Sequence, residues 1–287
     1  MNVAEFSECL RQTGCYSTKG GIRKYHFPSF IATPLFQLFL AEIFVRGSIR
    51  AVMRTDFMNT EWAAFGFRVL QLVERMRGHI TISGFENKNS YNGPVVWVVN
   101  HVSSLETYLL PSILMTWPGL IVVLKESLAH YPIFGHVVRA VSPIRVLRKN
   151  PMDDLRKVLT EGVEGIKQGR SALIFPQGKR ERQFDPSTFN SLGTKLAKKA
   201  GVPVIPVAVS TDFLRIGKLH RDLFMTVHPE SPVRIACGPV IPHTLSPADI
   251  QSQAIYFITS KLAEWQNESG LKLLASPQTS AAMPHVK

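Results

Sequence analysis

A histidine is followed five residues later by a glutamate in the segment VVNHVSSLET (98–107), directly after an apolar run. Histidine accepts a proton near neutral pH, and a carboxylate on the far ring nitrogen fixes its tautomer and stabilises the imidazolium. His101 and Glu106 are therefore a candidate general base and its orienting acid. Five residues is not a same-face helical spacing, so the two meet only across a turn. The sequence supplies one, where the apolar run ends at Val99 and a helix begins beyond Asn100-His101. The same residues have a plainer reading. Ser103-Ser104-Leu105-Glu106 has the S-x-x-E form of a capping box, in which Glu106 reaches back to the Ser103 amide.

A second segment, LIFPQGKRER (173–182), runs from a strand into Pro176 and Gly178 and then places Lys179, Arg180 and Arg182 close together. Glycine lets backbone amides approach a ligand, and arginine offers a planar fork to phosphate oxygens. The competing reading is a solvated basic turn. A third segment (125–150) is apolar but punctuated by Lys125, the Pro132/Gly135 turn and Arg148. A fourth, GVPVIPVAV (201–209), is a strand whose two prolines favour a sheet edge.

The elements that position these residues have an α/β pattern from about residue 78. Short apolar runs at 79–83, 95–99, 120–124, 172–175, 204–209 and 233–237 read as strands buried on both faces. A helix with Asn150 as cap, Pro151 at its first position and Gly169 at its end carries Leu155, Val158, Leu159, Val163 and Ile166 on one face. Further helices are expected over 191–200 and 249–266, with a disordered tail from Glu268.

Ahead of this region, residues 1–30 show no clear period and read as irregular. Residues 35–54 carry LFQLFLAEIFV, with Glu42, Arg46, Arg50 and Arg54 recurring every four residues as a polar stripe. The unbroken apolar stretch falls short of the roughly 20 residues of a bilayer span, so an amphipathic helix lying in the interface fits better than the alternative of a short transmembrane or re-entrant hairpin. Phe36, Phe39 and Phe44 are its expected insertion residues. A second helix, 60–76, places Trp62, Phe65, Val69, Leu72, Val73 and Met76 on one face. Both are expected to touch membrane, against the alternative that they simply pack on the core.

The chain has 287 residues, 45% of them hydrophobic, which is ample for a core and excludes global disorder. Its net charge of +12 favours an anionic partner. The basic residues are spread rather than aligned and no nucleic-acid motif is present, so lipid is favoured over nucleic acid. Cys9, Cys15 and Cys237 form no CxxC pair, which points to reduced thiols in a cytosolic compartment. The first residues lack the apolar stretch of a secretory signal. There is no GxSxG and no HExxH, and His130 and His136 read as surface or packing residues, so no metal site is expected.

In order and spacing, the four segments resemble the glycerolipid acyltransferase superfamily, specifically its PlsC-like 1-acylglycerol-3-phosphate acyltransferases, over residues 78–240. The resemblance implies a mixed central α/β sheet flanked by helices, with an N-terminal two-helix membrane-docking element (1–77), a catalytic domain (78–267) and the tail (268–287). It implies that His101 deprotonates an acceptor hydroxyl and Glu106 orients it. Arg148, Gln177, Gly178, Lys179 and Arg180 take the positions that hold the acceptor phosphate. No cofactor is implied; acyl-CoA or acyl-carrier protein is the co-substrate, and the cytoplasmic face of the membrane is the setting. Glu106 stands where Asp is commoner, Gln177 where Glu is, and Lys179 where Thr is. The last two bear on the acceptor more than on the reaction, and motivate the alternative of a non-catalytic lipid- or acyl-binding relative.

Overall fold

The computed structural model describes residues 1–19, 29–53, 57–117, 119–215 and 225–274. The first of these stretches is ordered, contrary to the expectation for residues 1–30. Helix α1 (Val3–Thr13) starts at a capping box, in which Asn2 accepts from the Glu5 amide and Glu5 accepts from the Asn2 amide. Phe6 and Leu10, one turn apart, are fully buried, and Gly14 closes the helix at φ +66°. Two anchors are too few to register as a period, which is why the sequence concealed this helix. Strand β1 (Tyr16–Ser17) follows. The rest of that segment, 20–28, lies outside the described residues, as does Arg54.

Two long helices come next, α2 (Ser29–Met53) and α3 (Phe57–Arg75). They differ in what they bury. Every apolar residue expected on one face of α3, from Trp62 to Val73, is buried, as is Met76 just beyond it. The helix is sandwiched between α2 and the helix Leu105–Leu114, and at Gly66 the approach is so close that a Cβ would sit 2.6 Å from the Tyr108 carbonyl oxygen. The apolar face of α3 is thus consumed by the core, as the alternative of core packing has it. Helix α2 buries Ala32, Phe36 and Leu40 and packs Phe44 on Phe65, Tyr108 and Phe134. Its outer side exposes Phe30, Leu38, Val45, Ile49, Val52 and Met53. Of the three expected insertion residues, Phe36 is buried and Phe44 is half-buried against the core, whereas Phe39 is exposed, so most of the exposed apolar side of α2 lies opposite Phe36. By length and composition α2 is apolar enough to cross a membrane.

The remaining elements are β2 (Ile80–Ser83), α4 (Glu86–Asn89), β3 (Val96–Val99), α5 (Leu105–Leu114), β4 (Leu120–Lys125), α6 (Phe134–Ala140), β5 (Ile144–Val146), α7 (Pro151–Lys167), β6 (Ser171–Ile174), α8 (Leu192–Ala200), β7 (Val204–Ser210), β8 (Leu214–Arg215), β9 (Thr226–Val227), β10 (Val233–Cys237) and α9 (Pro247–Leu274). All six expected strands are present. Eight strands form one mixed sheet in the order β1-β2-β10-β7-β3-β6-β4-β5, with β8 and β9 as a separate pair. One apolar cluster lies between the sheet and α1, α2, α3 and α5; a second lies under α7, α8 and α9.

Strand β7 is central, not an edge strand as its prolines suggested. Val204 exchanges both backbone bonds with Ile241, and Gly238 donates to the Pro206 oxygen. Pro206 therefore turns its missing N–H toward the gap between the end of β10 and Ile241, where no donor is needed. Helix α7 begins as expected, with Asn150 accepting from the Met152 amide. Helix α9 runs on to Leu274, past the expected disorder at Glu268: Arg234 pairs with Glu268 at 3.1 Å and donates to the Trp265 carbonyl. Residues 275–287 lie outside the described residues.

Candidate active site

Strands β7, β3, β6, β4 and β5 run parallel, so their carboxyl ends share one edge of the sheet. That topology alone gathers His101 after β3, residues 175–180 after β6, Thr211 after β7 and Arg148 after β5.

Strand β3 ends because Asn100 takes over its pairing. The buried Asn100 amide donates to the Val209 oxygen at 2.9 Å and accepts from the Val209 nitrogen at 2.8 Å. His101 follows, with its main chain clamped by the β6 turn: its N–H donates to Gln177 Oε1 at 2.8 Å and its carbonyl accepts from the Glu181 amide at 2.8 Å. Its ring stacks on Phe175 with centroids 4.3 Å apart. Nδ1 lies 2.8 Å from Glu106 Oε1, which leaves Nε2 as the nitrogen to exchange protons with a ligand.

Glu106 is completely buried. Oε1 also accepts from the Val102 and Ser103 amides at 2.7 and 2.8 Å. Oε2 accepts from the hydroxyls of Ser103 and Thr211 at 2.9 and 2.6 Å. Burial opposes the charge, but the bond to and charge of His101, with Thr211 and the backbone donors, outweigh it and hold the carboxyl below its ordinary range. The two readings of Glu106 coexist: it bonds the Ser103 amide as a capping residue does, and with the same oxygen it holds the histidine.

The basic turn divides into inner and outer parts. Gln177 is buried, with its oxygen on His101 N and its nitrogen 3.2 Å from Glu181 Oε2. Its oxygen thus supports the histidine backbone from beneath the site, and its NH2 has a second donor beyond the one facing Glu181. Gly178 sits at φ +68° with open space where a Cβ would be. Arg180 donates to the hydroxyl of Ser104, the residue just before α5, and so lies beside the histidine loop. Lys179 is 62% exposed and pairs with Glu181 at 2.8 Å. Arg148 has its backbone pinned by Asp154 at 2.8 Å and an exposed side chain. It follows β5, which stands three strands from β3 in the sheet. Sequence reading missed Asn100, Phe175, Glu181 and Thr211. Asn100 adjoins the histidine and was open to suspicion; Thr211 carries no local signal and is brought in only by the pairing of β7 with β3.

The Acyltransferase family model matches residues 79–210, from just before β2 to the end of β7. The 1-acyl-sn-glycerol-3-phosphate acyltransferase of Pseudomonas aeruginosa is 32% identical over 187 residues, covering 62% of this chain and 70% of that protein. This chain belongs to the acyltransferase family. A chloroplast 1-acyl-sn-glycerol-3-phosphate acyltransferase of Brassica napus is 29% identical over 128 residues, 45% of this acyltransferase and 36% of the plant protein. The crystal structure of the 1-acyl-sn-glycerophosphate acyltransferase PlsC from Thermotoga maritima superposes with a TM-score of 0.63 at 19% identity, covering 83% of this chain and 96% of that one. The acyltransferase thus shares that fold, including the central sheet flanked by helices.

Proposed function

We propose that this O-acyltransferase moves a fatty acyl chain from an acyl thioester, carried by CoA or acyl-carrier protein, to the free hydroxyl of 1-acylglycerol-3-phosphate in phospholipid biosynthesis. His101 Nε2 takes the hydroxyl proton as the oxygen attacks the thioester carbonyl. The tetrahedral intermediate collapses, the C–S bond breaks, and the imidazolium returns the proton to the departing thiolate. Glu106 holds Nδ1 and balances the imidazolium charge. Arg180, with Lys179 further out, attracts the acceptor phosphate. The observation that carries the reading is the 2.8 Å contact between His101 Nδ1 and a fully buried carboxylate at the carboxyl edge of the sheet.

The outer apolar side of α2, in a chain of net charge +12, supports docking on an anionic membrane surface, with the cytoplasmic face as the setting. The alternative of a non-catalytic lipid-binding relative rested on the altered residues of the basic turn. Gln177 weakens it, because this residue fixes the backbone of the histidine. The reading is tested by supplying purified protein and anionic vesicles with labelled acyl-CoA or acyl-carrier protein and a panel of lysolipids. Transfer to 1-acylglycerol-3-phosphate is expected to exceed transfer to lysolipids lacking the terminal phosphate. Equal use of all acceptors would refute the proposed phosphate recognition.

A further inference from the structure

Glu106 orients His101 only if the carboxylate itself cannot turn. A carboxyl group rotates about its bond to the side chain, so fixing Oε2 fixes the direction of Oε1 and with it the imidazole. Two hydroxyls reach Oε2, from Ser103 at 2.9 Å and Thr211 at 2.6 Å. Ser103 belongs to the same loop as the dyad, and its hydroxyl lies 2.9 Å from that of Thr211. Thr211 comes from the end of β7 and is fully buried. Its strand is held in register to the dyad by the two-bond clamp between Asn100 and Val209, which ties the residue before His101 to the residue two before Thr211.

From this geometry we infer that Thr211 is a positioning residue for acyl transfer: its hydroxyl locks the Glu106 carboxylate so that His101 is presented in one orientation. The inference rests on the proposed role of His101. A buried threonine could instead serve packing alone, with its hydroxyl merely finding a partner. The two differ in what the oxygen is worth at constant shape.

Thr211→Val keeps the shape and removes the hydroxyl; Thr211→Ser keeps the hydroxyl and removes the methyl. Losing a hydrogen bond to a charged group predicts a fall in kcat of about 10–100-fold in Thr211→Val, with both KM values within about twofold of wild type. Thr211→Ser should retain most of the turnover. If the valine protein does not fold, Thr211→Ala and Thr211→Ser make the same comparison, with kcat per folded molecule as the readout. Wild-type kcat in Thr211→Val, or equal impairment of the hydroxyl-free and serine variants, overturns the inference. His101→Ala is measured alongside. If it retains turnover, the proposed function itself fails; if it is inactive while Thr211→Val is normal, only the positioning role fails.

Discussion

The two halves of the site share one sheet edge but are built in opposite ways. Around Glu106 every donor is specified: five hydrogen bonds converge on one buried carboxylate, two of them from backbone amides. Around Lys179 the structure is open, with an exposed ammonium paired to a single carboxylate, Glu181, whose pKa is lowered chiefly by that bond. The first half cannot adapt and the second can. That division suits a reaction in which proton transfer demands fixed geometry while a lipid headgroup arrives from a fluid surface.

The contrast is tested at its strongest point by Glu106→Gln. An amide at this position meets two hydroxyls that can turn to accept from it, so the fold is expected to persist with a melting temperature within a few degrees of wild type. Loss of the charge that supports the imidazolium should lower kcat by about 10²–10⁴-fold. A large fall in melting temperature with little loss of kcat would make the carboxylate structural.

Arg180→Ala should come next, raising the acceptor KM by about tenfold while leaving the donor KM nearly unchanged, as steady-state kinetics would reveal. Lys179→Ala should cost only about two- to threefold in the same assay, because an exposed ion pair contributes little. If Lys179 proved the more important of the two, the inner and outer ranking would be reversed.

On α2, replacing Leu38, Val45 and Ile49 by Ser should move the protein from vesicle-bound to free in a flotation assay with little change in melting temperature. The same change at Phe36 and Phe44 should lower the melting temperature instead, since each leaves a hole in the core. Release by the second set with an intact fold would restore the first assignment of the insertion face.

How much of this was legible in sequence depended on whether the signal was local. The His101 and Glu106 spacing, the Asn150 cap and the six apolar strands are written in short windows, and the structure reproduces them. The face of α2 was legible only in part, with Phe39 exposed as expected, because its two sides have similar composition: Phe36 and Leu38 are equally apolar, and only the packing partners decide which is buried. The central place of β7 depended on where one proline nitrogen points, which is set by strands far off in sequence. Gln177 reads as a ligand by position, and its bond to the backbone of a residue 76 positions earlier is a contact that no short window shows.

The central claim is that His101 is the general base. The direct measurement is single-turnover acyl transfer from labelled acyl-CoA to 1-acylglycerol-3-phosphate by His101→Ala, with folding checked by its melting curve. A cooperative melt close to wild type with transfer reduced about 10²–10⁴-fold is the expected result. Transfer at the wild-type rate by the folded variant would contradict the account.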